Sequence, residues 1–220
     1  MSNHSHSYVG DGEYDFSSYG FYMKKLNYEE LVPIRSEVNL IRDNFASAVE
    51  FQSKLAGNIS REYKLETSTQ HTENIVASIL VDWSKTHPDI FGNQVRLNWK
   101  ESALKLRSLW VNFQRKYEFN PLHNHSGVFS FVLWLDIPYT MDEELDLSPG
   151  KQSNKPTAGC FEFSIPSPWG LRNHMIPVDK SYNGIMCVFP SSLYHQVYPF
   201  YSSDDYRITV SGNMYFDEEV

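Results

Sequence analysis

At 220 residues, 41% of them hydrophobic and with 14 Tyr, 14 Phe and 5 Trp, the chain has material for a sizeable core, which excludes a disordered polypeptide. A formal net charge of −8, with no Lys/Arg block, argues against a general nucleic-acid binder, which needs a basic surface. No apolar run nears the roughly 20 residues of a membrane span, and the N-terminus lacks a basic-then-apolar leader, so the expectation is a cytoplasmic protein without a membrane segment. Residues 1–220 read as a single domain, with an extended arm over 1–20, a helical support region over 28–90 and a β core over 94–220.

The arm is rich in Ser, Gly, Asp and Tyr; its His4 and His6 lie in a polar terminal tract and read as unstructured. From Leu31 the apolar residues Ile34, Val38, Ile41, Phe45, Ala48 and Leu55 recur at spacings of three, four and seven. That period predicts one long amphipathic helix, with Pro33 in its first turn and a stop at Gly57-Asn58. A second helix fits Thr72 to Lys85, ended by His87-Pro88, because the residue before proline leaves the helical region. Both stripes read as core packing against a sheet.

Beyond Gln94 the texture becomes β. Residues 108–115 alternate as a mixed strand, and Val128 to Leu135 is apolar on both faces apart from Ser130, as in a strand covered on both sides. Residues 138–159 form a long polar insert without period, a length at which loops tend to be functional or mobile; a water-excluding lid is one hypothesis. Short strands follow at Cys160–Ile165, around Met175–Val178, at Ile185–Phe189, Gln196–Tyr198 and Tyr206–Phe216. Regular short strands between Pro, Gly, Ser and Asp turns indicate a sandwich or barrel. The fold expected is therefore α+β and mainly β, with N-terminal helices packed on a β core. Cys160 and Cys187 match no metal or redox spacing and read as small core residues.

Chemistry concentrates in three places. His123 and His125, two apart, share a face if they lie on a strand, and paired imidazoles make half of a transition-metal site. His195, in Phe189-Pro-Ser-Ser-Leu-Tyr-His195, is the best third ligand. On the last strand Arg207, Thr209, Ser211 and Asn213 share a face that has no Lys or Glu, and an arginine fork with a neighbouring hydroxyl suits a carboxylate. Twelve residues separate His195 from Arg207, and a turn at 202–205 would let two antiparallel strands bring both into one cavity. Asn112 and Gln114 are further candidates for contacts there. Trp134 and Trp169 read as core, and His71, His87 and His174 as surface or loop residues.

Taken in order, His123-Asn-His125, Phe131-Val-Leu-Trp-Leu135, Phe189-Pro-Ser with His195, and Arg207-Ile-Thr209 resemble the 2-oxoglutarate- and Fe(II)-dependent oxygenases. The branch resembled has a His-x-His motif, and the likeness runs over about residues 108–216. Leu55-Ala-Gly-Asn-Ile59 is similar to the leader of phage-encoded members, which would imply a host-cytoplasm setting. The resemblance implies a double-stranded β-helix (jelly-roll) core, Fe(II) held by His123, His125 and His195, and 2-oxoglutarate held at its far carboxylate by Arg207 with Thr209, with Asn112 a further cosubstrate contact. It implies oxidation of an unidentified substrate (peptide, nucleobase or small metabolite) with O2, commonly by hydroxylation, releasing succinate and CO2. One departure stands out: the family usually carries Asp or Glu where this chain has His125. Two competing readings are a non-enzymatic metal-binding jelly-roll interaction module and a metal hydrolase. Arg207 discriminates, because neither alternative needs a cation deep in the pocket.

Overall fold

The computed structural model describes residues 12–14, 20–86 and 104–217. His4, His6, His87 and the expected helix stop at His87-Pro88 lie outside these. Among the described residues the elements are β1 (Gly12–Tyr14), β2 (Phe21–Lys25), α1 (Tyr28–Asp43), β3 (Glu62–Lys64), α2 (Thr69–Thr86), β4 (Leu104–Gln114), β5 (Asn120–His123), β6 (Phe129–Asp136), α3 (Met141–Leu147), β7 (Phe161–Ser167), β8 (Gly170–Ile176), β9 (Ile185–Pro190), β10 (Tyr194–Val197) and β11 (Arg207–Phe216). A seven-stranded sheet runs β1-β2-β9-β6-β11-β4-β3, and a four-stranded sheet runs β5-β10-β7-β8. Their pairings are antiparallel. This is the jelly-roll core, with α1 and α2 on the outer face of the larger sheet.

Strand alternation builds two cores from one sheet. Leu109, Val111 and Phe113 of β4, Leu133 and Leu135 of β6, and Ile208 and Val210 of β11 pack with Ile34, Val38, Ile75, Val76, Ile79, Leu80 and Trp83 of the helices. Val132 and Trp134 of β6 turn the other way, joining Ile185, Cys187 and Phe189 against Phe161, Phe163 and Ile165 of β7. Fully burying one such side chain contributes about 1.5–3 kcal/mol, so these clusters fix the strand register. Cys160 and Cys187 are both free and buried within the fold. No helix among the described residues is long and apolar enough to cross a membrane.

The structure corrects several expectations. Asn27 and Glu30 form a capping box that starts α1, yet the helix stops at Asp43, not near Leu55, and Pro33 lies beyond its first turn. Two backbone bonds explain the stop: Phe51 N–H donates to the Glu62 carbonyl at 2.8 Å, and Lys64 N–H to the Val49 carbonyl at 2.8 Å. The chain is drawn onto β3 there. Phe45 keeps its apolar contact from a short 3-10 turn after the helix, stacking on Tyr63 with centroids 5.4 Å apart. Trp169, read as core, is 97% exposed at the β7–β8 turn.

The insert is ordered around α3. Thr140 and Glu143 cap it reciprocally, and the buried Glu144 carboxylate accepts from the Tyr201 N–H, the Ser202 N–H and the Ser202 hydroxyl. Tyr139 stacks on Phe200, with centroids 5.0 Å apart. At the other end Gly159 N–H donates to the Pro199 carbonyl at 2.9 Å, so both ends of the insert are anchored on the segment that leads into β11.

Candidate active site

β5 and β10 are paired strands of the smaller sheet, and His123 and His195 stand directly opposite each other. Directly opposed residues point to the same face, so both imidazoles enter the space between the sheets. His125 lies just past β5, where its backbone N–H donates to the Ser191 carbonyl at 2.9 Å. The turn is closed by Gly127, with φ of 105°; a Cβ there would sit 2.8 Å from the Met214 carbonyl oxygen, so the close approach to β11 requires glycine. Ring centroids are 4.3 Å apart for His123 and His195, 5.0 Å for His123 and His125, and 5.1 Å for His125 and His195. One ring nitrogen from each falls within 4.8 Å of the others.

Two of the three rings are set by their own backbone. His123 Nδ1 donates to the Pro121 carbonyl at 2.7 Å and His195 Nδ1 to the Leu193 carbonyl at 3.0 Å. A carbonyl only accepts, so each proton sits on Nδ1 and each Nε2 lone pair is left for a metal. Burial holds all three below the ordinary histidine range. His195 is depressed well below it by burial and then by His123 and His125, and His125 is pushed to about 4 by burial and then by His123. Three converging neutral imidazoles are a donor set for a first-row transition metal. Phe161 stacks on His195 with centroids 5.5 Å apart, and Phe189 meets it edge-on at 4.9 Å.

The same cavity reaches Arg207, Thr209, Asn112, Gln114, Trp134 and Glu62. Arg207 is fully buried. Its Nη1 donates to the Gly159 carbonyl at 3.2 Å, so the insert steadies the guanidinium. Its Nε and Nη2 have no partner, and neither has Trp134 Nε1. Thr209 Oγ1 accepts from Asn112 Nδ2 at 3.0 Å, which leaves the hydroxyl proton free to donate. An unsatisfied buried polar group costs about 1–3 kcal/mol, and a charged one more. Such a set of idle donors fits an anionic group such as a carboxylate.

His195 and Arg207 do share this cavity, but not through one hairpin: β10 and β11 belong to different sheets, and the 202–205 turn carries the chain across. Gln114 lines the cavity while its amide donates to the Glu118 carbonyl at 2.7 Å. His71 is held by the Glu30 carbonyl at 2.9 Å, and His174 packs on Phe21. Sequence reasoning missed three residues. Trp134 is core by volume, yet it pairs with Thr209 across the ladder, and period-two counting along β6 places it on the cavity side. Glu62, whose buried carboxyl is raised to about 8 by burial and then by Glu118, and Asn120 sit on strands too short to show a period.

Residues 108–213 match the family model for "Putative 2OG-Fe(II) oxygenase". Over this stretch the chain belongs to the 2-oxoglutarate- and Fe(II)-dependent oxygenases. It is thus an oxidoreductase whose cofactors are Fe(II) and 2-oxoglutarate. Among solved structures, a Pseudomonas putida prolyl-4-hydroxylase is similar over 90% of this chain and 94% of its own, with a TM-score of 0.53 and 13% identity. The non-heme alpha ketoglutarate dependent carbocyclase SnoK from nogalamycin biosynthesis is similar over 91% of this chain and 80% of its own, with a TM-score of 0.51 and 12% identity. At these identities the likeness speaks for the fold. No curated protein matches the sequence.

Proposed function

We propose that this oxygenase holds Fe(II) through His123, His125 and His195, and the far carboxylate of 2-oxoglutarate through Arg207, Thr209 and Trp134. We propose further that it hydroxylates a C–H bond of a peptide or small-molecule substrate. The overall balance is R–H plus O2 plus 2-oxoglutarate giving R–OH, succinate and CO2. When bound, the iron supplies the oxidising chemistry, which belongs to the cofactor and not to the side chains. The protein's part is to bind, orient and exclude water. His123 and His195 offer preset Nε2 lone pairs, with both Nδ1 protons tied to carbonyls. Arg207 neutralises a carboxylate in a site walled off from solvent, and Asn112 turns the Thr209 hydroxyl so that its proton faces the ligand. Phe161, Phe189 and Trp110 keep the surroundings of the histidines apolar.

The observation that carries this reading is the buried Arg207 with two idle donors in the same cavity as the three histidines. A purely structural metal module would leave that charge uncompensated, at a cost of several kcal/mol. The cytoplasmic setting, in a host cell for a phage-encoded chain, rests on composition and resemblance alone. The test is succinate formation by full-length protein loaded with Fe(II), with no substrate added. Slow turnover that requires both iron and 2-oxoglutarate is expected. Absence of turnover together with absence of 2-oxoglutarate binding would refute the assignment.

A further inference from the structure

The cavity is polarised along a single row of the larger sheet. Glu62 of β3 pairs with Asn112 of β4, Asn112 with Thr209 of β11, and Thr209 with Trp134 of β6. Directly opposed residues share a face, so all four belong to the cavity side. Unpartnered donors gather at one end, where Trp134 Nε1 lies on the row and Arg207 Nε and Nη2 lie beside it. Unpartnered acceptors mark the other: Glu62 Oε1, Asn112 Oδ1, and Asn120 Oδ1 from β5. With strands about 4.8 Å apart, Glu62 and Thr209 are two strand spacings apart, roughly 10 Å of backbone. A cosubstrate anchored by its carboxylate at Arg207 satisfies the donor end and offers nothing to the acceptor end.

We propose that Glu62 is a specificity-determining residue, and that the acceptor end takes a primary ammonium or guanidinium group of the substrate. This rests on the oxygenase site assignment above and names its substrate class. Glu62 is 3% exposed yet has no cation of its own among the described residues. Arg61 stacks over the Phe45 ring at 4.2 Å, and Lys64 pairs with Glu66 at 2.7 Å. Nor is Glu62 a metal ligand, since the three-histidine cluster does not include it. A buried carboxylate without a partner is costly, and the raised proton affinity of this group agrees with that. Unpartnered acceptor oxygens on the paired residues Glu62 and Asn112, with Asn120 lining the same cavity, call for a ligand group with several N–H donors. Ammonium offers three and guanidinium five, whereas a hydroxyl offers one. A cation also restores Glu62 to its charged form, turning an idle acid into a charge-assisted contact.

The experiment titrates matched probes into full-length protein loaded anaerobically with Fe(II) and 2-oxoglutarate, and follows binding by calorimetry. One pair is N-acetyl-lysine methylamide and its neutral counterpart N-acetyl-norleucine methylamide. The other is N-acetyl-arginine methylamide and N-acetyl-citrulline methylamide. Wild type is expected to bind at least one cation about tenfold or more tighter than its neutral counterpart. Glu62→Gln, which keeps the shape and removes the charge, is expected to abolish that preference. Equal binding within both pairs, binding of no probe, or a preference that survives Glu62→Gln overturns the proposal. The preceding iron and 2-oxoglutarate titrations report separately on the assignment beneath it. If they fail, that assignment falls, and the same probes titrated into the unloaded chain still decide the role of Glu62.

Discussion

The two faces of the seven-stranded sheet are made by the same strands and obey different rules. On the helix side, Phe113, Leu133, Ile208 and Val210 are at most 4% exposed and belong to one apolar cluster. One residue along, Asn112, Trp134 and Arg207 face the cavity beside Thr209, each with polar atoms that the fold leaves idle. Period two makes this possible: adjacent residues share a backbone but not an environment. The helix side stabilises the fold with dry packing, which tolerates the cost of unsatisfied groups on the other side. The site is thus a polar, unsatisfied surface mounted on a well-packed one, a pattern in which function and stability are separable by single substitutions.

The sharpest way to break that contrast is to exchange the effects. Phe113→Ala, on the helix side, is expected to cost about 3–5 kcal/mol of unfolding free energy, read as a lowered midpoint in urea. Arg207→Met, on the neighbouring strand and the opposite face, is expected to weaken 2-oxoglutarate binding at least about tenfold, because charge-assisted hydrogen bonds contribute roughly 1.5–3 kcal/mol each. The same substitution removes a buried, underpaired charge, so the thermal midpoint of the metal-free protein should not fall. Calorimetry and melting on one sample decide both halves. A destabilised Arg207→Met with intact cosubstrate affinity would make the arginine part of the scaffold and erase the distinction.

The sequence made one face of this contrast more legible than the other. Alternation along residues 108–115 and 206–216 exposed both the apolar set and the Arg207–Thr209 pair, because those strands are long enough to show a period. The order of His123, His125, His195 and Arg207 carried the family likeness. What lay beyond reach was anything set by pairing between distant segments. The three-residue strand β3 has no period of its own, so Glu62 enters the cavity only through its partnership with Asn112. The end of α1 was hidden for a related reason. Phe45 and Ala48 keep helical spacing, but the backbone of residues 49–51 finds better hydrogen bonds on β3 than in another turn. In the insert, which shows no period, the helix capped by Thr140 and Glu143 was not expected, and the burial of Glu144 under Tyr201 and Ser202 required the fold.

His125 gives the smallest expected effect and the finest distinction within the site. Its ring stands in the cluster with His123 and His195, but among the described residues no carbonyl fixes its Nδ1 as Pro121 and Leu193 fix the other two. It is therefore the least preorganised of the three, and the family pattern places a carboxylate at its position. His125→Asp restores two histidines and one carboxylate, a set suited to non-heme Fe(II), so metal binding should be retained. His125→Ala should lower iron affinity at least about tenfold, a loss of 1.4 kcal/mol or more, yet less than His123→Ala, because water can fill the vacancy. Iron titrations of wild type and the three variants at one pH measure this order. An affinity in His125→Ala equal to wild type would end ligation by the third histidine. The preset pair and Arg207 would then carry the site, and the ring of His125 would be a wall of the cavity beside Trp110, whose centroid lies 5.9 Å away.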